Sequence, residues 1–384
     1  MSKELEIQKY LRHNTINNKL QDGALGFLEA EYGIYAKKHN TYPNLILFKY
    51  DQLEAKFSER IVQESRGIIL DENKDWSVVC YPYDKFWEED NILADKIDWT
   101  SARVLEKLDG SLCTLWFNEY SQEWEVSTSG TPDASGLVGW TNECFKDLFW
   151  RTWNELGYKL PNRFKTLCFM FELCRIENKV VCIYESPRLV CHGMRMINGD
   201  YSELPIYTEF GPNMIPLLFG WEVIKQYPIQ TFEEVIKACE ALDPIKNEGF
   251  VIVDKNFKRI KVKSVQYKAL SHIKDGFSIK RVVELVRQPN QFNWMPYFPE
   301  YKDLYEQVYK VFEDLIVRLS DAWLHNHEIQ SQKEFALSIK DIDFPGALFN
   351  LRAGKNKTIR EYFENININT LTDYIKDKLN ASKE

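Results

Sequence analysis

Residues 106–111, Glu106-Lys107-Leu108-Asp109-Gly110-Ser111, set a lysine between two β-prone runs and follow it two positions later with Asp-Gly. Asp-Gly suits a tight turn, because glycine adopts backbone conformations that a side chain forbids and aspartate bonds readily to nearby backbone. The expectation is a lysine held rigidly at a sheet edge. A string this short also arises by chance, so its meaning depends on its surroundings.

Working outward, the text from about residue 44 to 264 is a series of short β-prone runs separated by turn residues: NLILFKY, RGIILDE, WSVVCYP, SLCTLWF, WEVSTSG, TLCFMFEL, KVVCIYE, RLVCHGM, GFVIVD and RIKVKS. Helical patterning enters between them at 143–156 and 232–242. The fold class this implies is α+β with largely antiparallel sheets. Beyond Lys263 the period changes, since Leu304, Val308, Val311, Leu315, Leu319 and Trp323 recur at helical spacing on a charged background. A proline- and aromatic-rich linker, 288–299, precedes that helix, and further helical text follows at 358–363 and 371–379. The expected organisation is a first domain over 1–264 and a mostly helical second domain over 265–384.

Composition narrows the class. The 384 residues are 44% apolar, enough for a sizeable core, and contain no apolar run of membrane-spanning length. The charged N-terminus is unlike a signal peptide, so the expected location is the cytoplasm, or the host cytoplasm for a viral protein. Eight cysteines include no C-x-x-C, and Cys168, Cys174, Cys182 and Cys191 sit in apolar runs, which predicts buried free thiols. His325 and His327 stand near the end of the amphipathic helix with no cysteine nearby and read as helix-end polar residues. A net charge of −8 argues against coating nucleic acid by bulk attraction, so any such contact must be local. The best candidate is the basic run 255–287, with Lys274, Lys280 and Arg281 as nucleic-acid contacts.

Three further strings bear on Lys107. In Phe169-Met170-Phe171-Glu172, alternation puts the phenylalanines on one face and Glu172 on the other, where a carboxylate needs a sugar hydroxyl or a metal as partner. In Asn247-Glu248-Gly249-Phe250, an acid leads into an apolar strand, a place suited to a metal ligand. In Arg259-Ile260-Lys261-Val262-Lys263, alternation places Lys261 and Lys263 on one face, roughly 7 Å apart, a spacing that suits a polyphosphate.

In this order, K-x-D-G, F-x-F-E, E-G-F-V and K-V-K resemble the nucleotidyltransferase motifs of ATP-dependent ligases and mRNA capping enzymes. Glu64-Ser65-Arg66-Gly67-Ile68-Ile69 and Tyr81-Pro82-Tyr83-Asp84-Lys85-Phe86 precede the lysine, as in the phage RNA ligase 1 family. The resemblance covers roughly 44–268. It implies an ATP-grasp-like nucleotidyltransferase domain with Lys107 as nucleophile, Arg66 and Lys85 on the β- and γ-phosphates, and Tyr50 near the adenosine. It further implies nucleotide contacts from Glu106, Glu172, Glu248, Lys261 and Lys263, with Glu248 and Glu172 as candidate ligands of Mg²⁺ or Mn²⁺. The implied reaction joins 5′-phosphate and 3′-hydroxyl RNA ends through lysyl-AMP and RNA-adenylate, in RNA or tRNA repair. DNA ligases and GTP-using capping enzymes share these strings but usually continue into a β-barrel, where this chain turns helical; a non-catalytic RNA-binding protein is the other alternative. No P-loop string occurs.

One departure stands out. Where the family usually has a basic residue before a glycine, this chain reads Ser127-Thr128-Ser129-Gly130. The chemistry also sets a demand, because an ordinary lysine is protonated at neutral pH, and the nucleophile's pKa must fall. Desolvation, Lys261, Lys263 and a divalent cation would each lower it.

Overall fold

The computed structural model describes residues 4–139, 141–274, 278–287 and 302–381, with the backbone alone at 272–274. The chain divides into two compact units, Met1–Tyr267 and Lys268–Glu384.

The first unit contains three larger sheets, and the strings above fall in all of them. Ile34–Lys38, Leu45–Tyr50, Arg66–Asp71 and Ser77–Cys80 form an antiparallel four-stranded sheet. A second sheet runs Glu123–Thr128, Ser111–Asn118, Leu167–Cys174, Arg188–Met196, Glu203–Leu204, with Glu222–Val223 beside Arg188–Met196 in parallel. The third runs Gln226–Tyr227, Arg103–Lys107, Gly249–Val253, Arg259–Lys263, and ends on Trp87–Glu88 in parallel.

Burial explains the texture of the strings. Phe169 and Phe171 pack with Leu115, Trp153 and Trp221 on one face of the second sheet, while Met170 packs with Leu47 and Trp116 on the other. A strand buried on both faces reads as a continuous apolar run, as TLCFMFEL does, and each fully buried phenylalanine contributes about 1.5–3 kcal/mol. In the third sheet Ile260 and Val262 pack with Val235 and Cys239 of the helix Phe232–Glu240. The alternate residues, Lys261 and Lys263, are half-buried on the opposite face.

Two expectations fail here, for one reason. KVVCIYE forms no strand. Its Val181 and Cys182 N–H groups donate instead to Asp109 Oδ2, at 2.7 and 2.6 Å, so a carboxylate replaces a neighbouring strand as acceptor. Nor does Lys107-Leu108-Asp109-Gly110 make a tight turn, because it carries the chain from the third sheet into the second. Tyr267 O–H donates to Asp109 Oδ1 at 2.7 Å, and the Asp109 N–H donates to Tyr184 Oη at 2.9 Å. The connection is thus pinned by one buried carboxylate rather than by turn geometry.

In the second unit every described element is a helix, the longest being Lys302–Asn326. Its buried stripe is Tyr305, Val308, Phe312, Leu315 and Leu319, with Val311 and Trp323 half-buried at the margin. The linker 288–299 lies outside the described residues.

Asp109→Ala leaves the Val181, Cys182 and Tyr267 donors without their acceptor, and should destabilise the protein by about 3 kcal/mol in urea unfolding. A loss below about 0.5 kcal/mol would mean that the connection is held by other contacts.

Candidate active site

Register brings the chemistry together. Lys107 lies directly opposite Gly249, and Gly249 directly opposite Lys263, so two lysines flank a strand position that has no side chain. That position admits only glycine, since a Cβ there would stand 2.1 Å from the Val262 carbonyl oxygen. Glu248, one residue earlier and buried, occupies the gap: its Oε2 accepts from Lys107 Nζ at 2.6 Å, and its Oε1 lies 3.0 Å from Lys263 Nζ. Two positions along, on the same face, the row is Leu105, Val251 and Lys261.

These charges tune one another. Burial favours a neutral Lys107 amine, yet the carboxylates of Glu248, Glu172 and Asp109 outweigh it and raise its pKa above the ordinary lysine value. The expected fall is therefore not present in the protein alone. Lys261 shifts the other way, to about 8, through burial and then the positive charges of Lys107 and Lys263.

Lys107 opens into a cavity of about 560 Å³. Arg66, Glu172 and His192 also line it, and Leu105, Val251, Ile206 and Phe257 supply an apolar wall. Gly110 lets the wall close up, because a Cβ there would sit 2.4 Å from the Leu173 carbonyl and 3.0 Å from Glu172 Cγ. Such a slot accepts a ligand with a flat apolar part and an anionic end.

The other expected residues are distributed around it. Arg66 stacks on Phe86, 4.9 Å from the ring centre, and donates to the Asp84 carbonyl at 3.4 Å. Lys85 Nζ sits in an aromatic cage, 4.9 Å from Tyr50, 5.0 Å from Phe57 and 4.9 Å from Trp87. Burial and Arg66 lower its pKa to about 8. Tyr50 thus belongs to the Lys85 cage and does not line the main cavity. Glu106 does line it, with its carboxylate 3.8 Å from Arg188 and its pKa raised by burial.

The serine-threonine departure is a self-contained turn, in which Thr128 Oγ1 accepts from the Gly130 and Thr131 N–H groups at 3.3 and 3.2 Å. A cation nonetheless lies beside it: Lys49 Nζ is 4.0 Å from where a Gly130 side chain would begin. It comes from the strand Leu45–Tyr50 and carries no local signal in the sequence.

The basic run 255–287 is not a single surface. Arg259 is buried and pairs with Glu203 through two contacts of 3.2 and 2.8 Å, and Arg287 donates to the Ile366 carbonyl within the second unit. Lys280 is exposed, Arg281 pairs with Glu284 at 2.9 Å, and the Lys274 side chain lies outside the described residues. All eight cysteines are free, and His325 and His327 contact backbone carbonyls of their own helix. Among the described residues no three His, Cys, Asp or Glu side chains are arranged to hold a metal ion, and no helix is long and apolar enough to cross a membrane.

The family model of T4-type RNA ligase 1, described as RNA ligase, matches residues 64–269, more than half of the chain. The chain belongs to the T4 RNA ligase 1 family. The matched segment of this RNA ligase family member holds Arg66, Lys85, Lys107, Glu172, Glu248, Lys261 and Lys263. An RNA ligase of Rhodothermus phage RM378 is 23% identical over 339 residues, covering 73% of this chain and 76% of that one. A protein of Autographa californica nuclear polyhedrosis virus, whose name proposes a bifunctional polynucleotide kinase/RNA ligase, is 27% identical over 258 residues. That match covers 60% of this chain but only 34% of the viral protein. Among solved structures, an archaeal ATP-dependent RNA ligase gives a TM-score of 0.46 at 12% identity, over 94% of this chain and 80% of that one.

A lysine with its pKa near 8 loses charge as pH rises through that value. AMP affinity measured calorimetrically at pH 7 and pH 9.5 should therefore fall at least about threefold in wild type relative to Lys261→Arg, which stays charged. Parallel pH profiles for the two proteins would contradict the assignment of that charge loss to Lys261.

Proposed function

We propose that this chain is an ATP-dependent RNA ligase that adenylylates Lys107, passes AMP to an RNA 5′-phosphate, and seals it to a 3′-hydroxyl. The observation that carries this reading is the Lys107–Glu248–Lys263 cluster, whose Lys107 lines a cavity of about 560 Å³.

In the first step the Lys107 amine forms a P–N bond to the α-phosphate of ATP, and the bond to pyrophosphate breaks. The ammonium must first give up a proton to solvent, so the Glu248 Oε2 contact at 2.6 Å that stabilises the ammonium must loosen first. Negative charge grows on the α-phosphate and the leaving group, so preorganised cations lower the barrier. Lys263 and Lys261 serve the α-phosphate; Arg66 and Lys85 serve the pyrophosphate. Glu172 receives the ribose hydroxyls, and the apolar wall receives the base.

Glu248 and Glu172 are hard oxygen donors, and two carboxylates completed by phosphate oxygens and water suit Mg²⁺ or Mn²⁺. Such an ion would offset both carboxylates, favouring the neutral Lys107 amine, and would withdraw charge from the phosphates. RNA with a 5′-phosphate and a 3′-hydroxyl is the partner in the later steps. The helical segment from about residue 265 onward selects among RNA ends, with Lys280 and Arg281 on its surface, and RNA or tRNA repair is the setting.

The test is covalent labelling. With α-labelled ATP and Mg²⁺, denatured wild type should carry label as Lys-AMP and Lys107→Ala should carry none. Arg66→Ala and Lys85→Ala should slow labelling at least about tenfold while sparing the sealing of pre-adenylylated RNA. Label from GTP but not ATP, or from neither, would sink the reading.

A further inference from the structure

We propose that His192 is the positioning residue for Glu172 and thereby sets the selectivity for the nucleotide's sugar. The proposal rests on the reading of Glu172 as the ribose contact.

The backbone aims this side chain on purpose. Met170 pairs with Gly193 and Phe171 with Cys191, so His192 is the extra residue of a β-bulge in Arg188–Met196. A bulge re-aims one side chain out of the normal alternation, and here it makes His192 part of the cavity lining. Gly193 completes the arrangement, because a Cβ there would lie 1.9 Å from the Tyr83 hydroxyl. Into that space the Tyr83 O–H points at two acceptors of His192, the carbonyl oxygen at 2.8 Å and Nδ1 at 3.0 Å, which share its proton and leave the ring N–H at Nε2. The two rings stack with centres 5.6 Å apart, and Arg259 covers the Tyr83 ring at 4.3 Å. The imidazole is thereby fixed from behind.

Its other nitrogen has a single use. Nε2 is sealed from solvent and has no hydrogen-bond partner among the described residues, while Glu172 Oε2 lies 3.5 Å away. A buried ring nitrogen facing a carboxylate must present its N–H, since two facing acceptors repel and an unsatisfied buried polar atom is costly. At 3.5 Å the contact is longer than a hydrogen bond, as is common before a ligand draws a site together. His192 therefore holds one carboxylate oxygen of Glu172 and leaves the other for a sugar hydroxyl.

The experiment compares Lys-AMP formation from ATP, 2′-deoxyATP and 3′-deoxyATP. His192→Asn keeps a polar group near Tyr83 but does not reach Glu172; His192→Gln can place an amide N–H where Nε2 stands. Wild type should prefer ATP over at least one deoxynucleotide. His192→Asn should lose about tenfold in kcat/KM for ATP, mainly through KM, while changing the disfavoured deoxynucleotide less than about threefold, so selectivity collapses. His192→Gln should recover most of the selectivity, and Tyr83→Phe should shift it in the same direction as His192→Asn. Equal losses on all three nucleotides, or unchanged selectivity in His192→Asn, would overturn the proposal. A wild type that takes no label from ATP would overturn the underlying reading instead, and is told apart because it shows before any variant is made.

Discussion

A single buried carboxylate, Glu248, shared between the ammonium groups of Lys107 and Lys263, is the interaction on which the site depends. It exists because Gly249 leaves the middle of a three-strand row empty and the two outer positions are lysines. Three cations clustered on one half-buried face would repel strongly without it, and the low pKa of Lys261 reflects its burial and then the repulsion that remains. Glu248 also keeps Lys107 protonated. On the proposed reading, the resting site holds Lys107 as the ammonium, and the amine is released when something competes for Glu248.

A second carboxylate performs the corresponding structural task. Asp109, two residues past the lysine, gathers backbone donors from 181 and 182 and the phenol of Tyr267, fixing the passage between two sheets just where Lys107 projects. Gly110 then permits the close approach to the strand Leu167–Cys174 that brings Glu172 to the same cavity. The K-x-D-G string is thus an anchor for a crossing as well as a carrier of the lysine.

What the sequence made legible were features with a local period. The alternation in Arg259–Lys263 and the placement of Glu248 before its strand depend on neighbours within a few residues, and the structure puts them where alternation demands. The helical stripe of Lys302–Asn326 was readable for the same reason. Illegible features depend on distant partners. KVVCIYE has strand composition, but its donors are taken by an aspartate more than seventy residues away. Tyr50 shares a cage with Lys85 because the strand Leu45–Tyr50 meets the segment at 85–87 in space, which no spacing reveals. Arg259, counted among surface cations, is neutralised inside the protein by Glu203. His192 gave no signal because a bulge is invisible in RLVCHGM, where apolar residues precede and follow the histidine with no break in pattern to mark it.

The most direct test is the pKa of the Lys107 ε-amine in the ligand-free protein, followed by NMR of isotope-labelled lysine and assigned with Lys107→Arg. Wild type should titrate above the ordinary lysine value, and Glu248→Gln clearly lower than wild type, because burial would then be opposed only by Glu172 and Asp109. A Lys107 that titrates alike in the two proteins, or below the ordinary value in wild type, would contradict the account.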